Sequence, residues 1–288
     1  MVAARVKAPF PYFGGKQAMM KHILPLLPHH EVYVEVFGGA GSLLFAKAPA
    51  GLEVYNDIDS SLVNFFTVLR NDAPALIRLL ELTPYARTEH RYCRKEMDNT
   101  DDPIERARRF YTATRQNFRA DTTKGGWSHS LSTKGNSLAA RSWVNNIDRL
   151  MDCAKRLRGV QVECDTFDHI IQAYDAEDVL FYADPPYVPE TRRSGGYRHE
   201  MTIEQHVQLL QLLTTCKGMV ILSGYDCPLY QEYLADWRRI DIAMFAQTNE
   251  KGEGGRQRQT RIESLWVKPN TLLPEQIVLF GSTEEATK

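Results

Sequence analysis

Residues 32–47 read VYVEVFGGAGSLLFAK, and this stretch decides the fold. Val32, Val34 and Val36 alternate with Tyr33, Glu35 and Phe37, all β-favouring or aromatic except the acid, which predicts a strand. Gly38, Gly39 and Gly41 follow as a turn, and the apolar run 43–46 then reads as a helix. Strand, glycine turn and helix open an α/β unit whose backbone a ligand can approach closely. Working outward, residues 52–55 form a second short strand that ends at Asn56-Asp57, where an acid can accept from sugar hydroxyls. A dinucleotide fingerprint would need a further glycine at position 44, which is Leu44. That departure disfavours a pyrophosphate seated on the helix N-terminus.

The second informative stretch is Asp184-Pro185-Pro186-Tyr187, which follows the apolar run 179–183 at the carboxyl end of a predicted buried strand. Proline holds φ near −65° and donates no backbone hydrogen bond, so the corner is stiff and the carbonyls of Asp184 and Pro185 escape any ladder. The expectation is a rigid, solvent-facing set of acceptors beside an aromatic face, suited to a flat ring bearing an amino group. A strand that merely stops at a proline turn is the plainer alternative.

The remaining pattern alternates. Helices are predicted over 60–71, 73–82, 103–118, 142–157 and 203–213, and strands over 159–163 and 219–223. Residues 239–244 and 261–267 read as paired strands around the glycine-rich 251–255, while 121–137 is polar and loop-like, and the last ten or so residues look unstructured. Alternating strands and helices imply a mostly parallel sheet covered on both faces, with an antiparallel element at its late edge. The segment near 75–158 breaks the alternation and reads as an insertion. The organisation expected is therefore 1–74 and 159–275 as two parts of one core, 75–158 as an inserted subdomain, and 276–288 as a tail.

Net charge is −1, yet twelve basic and only four acidic residues lie between Glu105 and Arg158. Such a local excess favours a surface that faces a polyanion, although a solvated helix face could carry part of it. The five cysteines are scattered without a C-x-x-C pair and read as reduced packing thiols. The eight histidines show no metal spacing, so no metal cofactor is implied, and no apolar run approaches a membrane span. Upstream, Pro9-Phe10-Pro11-Tyr12-Phe13-Gly14-Gly15-Lys16 is a second glycine site, where Lys16 can reach a carboxylate and Tyr12 can cover a ligand.

Taken in order, these motifs resemble the DNA adenine-N6 methyltransferases of the Dam type, the alpha-group D12 class. The match comprises P-F-x-Y-x-G-G-K, E-V-F-G-G-A-G-S, N-D-I-D, an insertion and D-P-P-Y, and the closing half, with Leu222-Ser223-Gly224-Tyr225 and Glu263-Ser264-Leu265-Trp266, also looks like the family. The resemblance implies a Rossmann-like S-adenosylmethionine-dependent sheet of seven strands, the last antiparallel, with an inserted, mostly helical DNA-recognition subdomain. By position it implies that Tyr12 and Lys16 contact the donor, with Lys16 near its carboxylate. Phe37, Gly38, Gly39 and Gly41 would line the methionine end and Asp57 would bind the ribose. Asp165-Thr166-Phe167 would hold the donor's adenine, with core packing of Phe167 as the alternative.

On this reading Asp184 and the Pro185 carbonyl orient the target amino group, Pro186 stiffens the corner and Tyr187 stacks on a flipped base. Arg115, Arg119, Lys124 and Lys134 of the insertion, and Arg192, Arg193 and Arg198 of the loop 191–198, are the expected contacts to double-stranded DNA; Arg256, Arg258 and Arg261 are further phosphate candidates. The chain is expected to act in the cytoplasm as a monomer or weak dimer. Rival readings are another methyl acceptor (RNA base or glutamine amide), a DNA-binding protein with a decayed site, and a nicotinamide oxidoreductase. Asp184 disfavours the first, intact Lys16, Asp57 and Asp184 the second, and Leu44 the third. The stretches 114–119 and 124–127 depart from the pattern of members acting on GATC, so the target sequence is not assigned.

Overall fold

The computed structural model describes residues 6–12, 14–118, 125–130, 139–191, 197–246 and 259–271. Its strands are β1 (Val32–Glu35), β2 (Leu52–Asn56), β3 (Val160–Glu163), β4 (Val179–Ala183), β5 (Met219–Gly224), β6 (Arg238–Ala246) and β7 (Gln259–Val267). Its α-helices are α1 (Met20–Ile23), α2 (Ser42–Ala46), α3 (Ser60–Asn71), α4 (Ala73–Glu81), α5 (Arg87–Lys95) and α6 (Pro103–Arg115), followed by α7 (Ala139–Ile147), α8 (Leu150–Leu157), α9 (Phe167–Ala173), α10 (Ile203–Thr215) and α11 (Pro228–Tyr233). The strands form one seven-stranded sheet in the order β3-β2-β1-β4-β5-β7-β6. Only β7 runs against the rest, antiparallel to both β5 and β6. The strand order reverses between β1 and β4, and such a switch point leaves a crevice at the carboxyl edge where ligands bind.

Local chemistry sets the element boundaries. Asp59, Asp72 and Asp102 each accept from first-turn amides of α3, α4 and α6, and Pro103 occupies the first turn of α6 without wasting a donor. Thr202 and Gln205 cap α10 reciprocally. On β1 and β4 the side-chain alternation divides the core. Tyr33, Leu180 and Tyr182 join Phe65, Phe66, Phe110 and Tyr111 on one face, while Val34, Phe181 and Ala183 join α9, α10 and α11 on the other.

Several expectations shift. The helix read as 142–157 is two, broken at Asp148 and Arg149. The helix read to 118 ends at Arg115, because Asn117 pairs with Trp127 in an antiparallel bridge and Phe118 donates to the Gly126 carbonyl at 2.8 Å. The boundary drawn between 74 and 75 falls inside α4, whose Leu76 and Leu80 lie in the same buried cluster as Phe65, Phe66 and Trp143. The helices of the insertion thus share the core of α3 and are not a separately packed module. Four cysteines are buried as read, but Cys164 is exposed. The glycine-rich 251–255 and the terminal tail lie outside the described residues. No helix among the described residues is long and apolar enough to cross a membrane.

Candidate active site

The site begins with the turn after β1. Gly39 and Gly41 adopt φ of +50° and +68°, which side chains with a Cβ rarely take, and Gly41 stands at the N-terminus of α2. At Gly38 the constraint is space, since a Cβ there would run into the Tyr55 ring. That ring is itself pinned by a 2.6 Å hydrogen bond from its hydroxyl to the Gly39 carbonyl. Asn56 laces the neighbouring strand ends together, donating to the Val36 carbonyl at 2.9 Å and accepting from the Asp165 amide at 2.9 Å.

Asp57 sits at the end of β2 and receives two backbone amides, Gly39 at 2.8 Å and Asp59 at 2.9 Å. Burial pushes its carboxyl up to about 6, against the pull of those amides. Each carboxylate oxygen still has a lone pair to offer a hydroxyl. Glu35, at the end of β1, is buried and accepts from the Leu44 amide and the Tyr33 hydroxyl, both at 2.9 Å. Burial raises it to about 8, beyond what the two donors recover.

Asp184 follows β4 and faces the same cavity. One of its oxygens, Oδ2, lies 2.9 Å from the Lys16 ammonium, while Oδ1 is buried with no hydrogen-bond partner among the described residues. Burial raises the Asp184 carboxyl; Lys16 works against this and Glu263 adds to it. Lys16 reaches the site because Phe10 plants the N-terminal segment among Phe65, Phe66, Phe110 and Tyr111, and because the Gly15 amide closes a turn on the Tyr12 carbonyl at 2.9 Å. Its ammonium also donates to the Gly14 carbonyl at 2.8 Å and lies 3.7 Å from Glu263. Burial favours the neutral amine, but the Asp184 and Glu263 carboxylates outweigh it and hold Lys16 firmly charged.

One cavity, with about 730 Å³ of empty space partly open to solvent, is lined by Tyr12, Lys16, Phe37, Gly38, Gly39, Asp57 and Asp184. Those are seven of the residues that the motifs singled out, drawn from both halves of the chain. Gly41 shapes the turn without lining the cavity. Phe167 is buried in the core against Phe37, ring centroids 5.9 Å apart, and Asp165 points an exposed carboxylate at His169. Neither lines the cavity.

The corner at 184–187 is not solvent-facing as expected. The Asp184 side chain is 17% exposed, and Pro185 and Tyr187 are buried, because the N-terminal loop and β7 fold over them. Tyr187 is correspondingly engaged on several sides. Its ring packs edge-on against Tyr225, the Lys16 ammonium lies 4.8 Å from the ring centroid, and its hydroxyl bonds Ser223 and Glu263.

Of the cations expected to meet DNA, Arg119, Lys124, Lys134, Arg192 and Arg193 lie outside the described residues, as do Arg256 and Arg258 and the side chain of Arg261. Arg115 is half-buried and bonds the Ser142 hydroxyl at 3.4 Å. Arg198 lines the cavity and is paired with Asp59 at 3.3 Å and with Asp98. Part of the basic excess is consumed internally. Arg106 pairs with Asp98, Arg108 with Glu89 and Glu105, Arg109 with Glu105, and Arg156 with the buried Glu53. The motifs gave no role to Glu35, Asp59 or Glu263, although each lies inside a quoted stretch: E-V-F-G-G-A-G-S, N-D-I-D and Glu263-Ser264-Leu265-Trp266.

Fold and site together define a class: a Rossmann-like α/β transferase with its ligand cavity at the sheet's switch point and an acid–proline corner beside it. The chain belongs to the D12 class N6 adenine-specific DNA methyltransferases, whose family model matches residues 12–246. Among its relatives are the type II methyltransferase M1.LlaDCHI of Lactococcus lactis subsp. cremoris, 25% identical over 86% of this chain and 91% of that one. The DNA adenine methylase of Escherichia coli K12 is 24% identical over 91% of this chain and 95% of its own. The DNA N-6-adenine-methyltransferase of Escherichia phage P1 is 26% identical over 79% of this chain but only 31% of its own. The protein is a DNA adenine-N6 methyltransferase and so requires a methyl donor.

Proposed function

We propose that the donor is S-adenosylmethionine, bound in the cavity lined by Gly38, Gly39 and Asp57, and that the acceptor is an adenine flipped out of duplex DNA toward Asp184. The observation that carries this reading is one cavity shared by the glycine turn, the ribose-type acid Asp57 and the unsatisfied acceptor on Asp184. These residues suit such a donor. Bare backbone at Gly39 lies on the cavity wall, Asp57 accepts from hydroxyls, and the carboxylates of Asp57 and Asp59 suit a cation. Bound there, S-adenosylmethionine supplies an electrophilic methyl on a sulfonium, open to in-line displacement by the amino nitrogen.

An adenine amino nitrogen is a weak nucleophile because its lone pair is delocalised into the ring. Asp184 Oδ1 and the Pro185 carbonyl, accepting its two N–H bonds, localise that pair and aim it. Asp184 then takes the surplus proton, a task suited to a carboxyl whose proton affinity burial raises and Lys16 holds in check. Tyr187 supports the base once the pocket opens, and unstacking that base costs about a few kcal/mol. Phosphates are assigned to Arg115, Arg119, Lys124 and Lys134, and to Arg192 and Arg193, with Arg198 placed nearer the donor than the DNA. Action as a monomer or weak dimer, in the cytoplasm where DNA is accessible, completes the proposal.

The test is transfer of tritium from labelled S-adenosylmethionine to duplex DNA, followed by digestion to nucleosides. The label is expected on N6-methyladenine. Label on cytosine, or on protein instead of DNA, would overturn the reading.

A further inference from the structure

The Lys16 ammonium stands between two carboxylates from opposite ends of the chain, Asp184 at 2.9 Å and Glu263 at 3.7 Å. Glu263 lies midway along β7, opposite Ile242 of β6, and the antiparallel run of β7 sets it just beyond the carboxyl end of β5, where Ser264 pairs with Gly224. Its Oε2 also accepts from the Tyr187 hydroxyl at 3.3 Å, and that hydroxyl meets Ser223 at 3.2 Å. Glu263 is thus tied to Lys16 and Tyr187, and among the described residues it has no hydrogen bond or ion pair with the glycine turn or Asp57.

We propose that Glu263 is a positioning residue for methyl transfer: it shares Lys16 with Asp184, so that the ammonium rests on Oδ2 and leaves Oδ1 for the target amino group. The inference rests on the functional reading above. Asp184 and Glu263 compete for a single cation. With Glu263 present, Lys16 has a second anion on the side of Tyr187 and stays off the other oxygen of Asp184. Without it, Asp184 becomes the only carboxylate partner of a buried ammonium. Lys16 then draws closer, Asp184 becomes a weaker acceptor and a weaker proton sink, and the amino group must displace a cation to bind. The Tyr187 hydroxyl loses an acceptor at the same time but keeps Ser223.

Glu263→Gln keeps shape and hydrogen-bonding capacity while removing the charge. Asp184 is faced by Lys16, Glu263, Glu35, Tyr182, Tyr187 and Tyr230, of which only Glu263 changes in that variant. The expected results are a kcat about tenfold lower or more, donor affinity by calorimetry within about twofold of wild type, and an acid limb of kcat moved to lower pH. In the free protein, a carboxyl-carbon NMR titration of Asp184 should move the same way, independently of any DNA or donor. Glu263→Asp, which keeps the charge one methylene further back, should lose less activity and leave the acid limb near its wild-type position.

An unmoved Asp184 titration overturns the proposal, as does wild-type kcat in Glu263→Gln or a parallel loss of donor affinity and kcat. If Glu263→Gln does not fold, full wild-type kcat in Glu263→Asp overturns it instead. A wild-type enzyme that places no methyl on adenine defeats the functional reading; the NMR titration still judges the network separately.

Discussion

Asp57 gives the sharpest quantitative expectation. Its carboxyl accepts the Gly39 and Asp59 amides, lines the cavity proposed for the donor, and is pushed up to about 6 by burial. At pH 7 such a group is about nine-tenths ionised and at pH 5 about one-tenth, so donor binding that needs the charged form weakens about tenfold between them, or ~1.4 kcal/mol. Asp57→Asn removes the charge and turns an NH₂ group toward one of the two amides that the carboxylate accepted. Loss of charged hydrogen bonds of that kind costs about 1.5–3 kcal/mol, which is roughly ten- to a hundredfold in donor Kd at pH 7. Calorimetric titration of S-adenosylmethionine from pH 5 to 8 measures both effects. Asp184 also faces the cavity with a raised carboxyl, so the Asp184→Ala variant must retain the slope. A flat wild-type profile, or the same slope in Asp57→Asn, would refute the reasoning.

Two further outcomes concern stability. Glu35 is raised from 4.5 to about 8, so the folded state holds its proton more tightly than the unfolded chain; that stabilisation is complete below pH 4.5 and is lost as pH rises toward 8. Denaturant unfolding of Glu35→Gln should lack this decline and equal or exceed wild type at pH 8; parallel curves would contradict the assignment. Arg156 reaches Glu53 at 2.5 and 2.8 Å and the Leu44 carbonyl at 2.8 Å, while Lys47 meets Glu53 at 2.6 Å from the other side. Arg156→Met leaves the buried cluster short of one cation and should cost about 3–5 kcal/mol in unfolding free energy; a loss under about 1 kcal/mol would show the pair is dispensable.

Much of the scaffold was legible because it is written in local pattern. Strict alternation from Val32, the glycine turn and the proline corner after β4 each specify their conformation within a few residues, so both ends of the cavity were readable. Helix α5 was not, because Arg87, Arg91, Arg94 and Lys95 swamp the short inward stripe of His90 and Cys93. Charge counting over 105–158 likewise could not see that Arg108 and Arg109 are drawn inward by Glu105, which requires knowing how α6 packs. The position of Lys16 near the site was readable, whereas its partner was not. Glu263 stood in a recognised stretch, but its meeting with Lys16 was not readable, because an antiparallel strand late in the chain delivers it to a corner set by β4.

Methyl transfer as proposed depends on Asp184 as the acceptor that holds the amino nitrogen. The most direct measurement is nucleoside analysis of DNA from cells expressing either the wild-type chain or Asp184→Ala at matched levels of folded, donor-binding protein. N6-methyladenine is expected with the wild type and at background with the variant. Comparable N6-methyladenine in both would contradict the central claim.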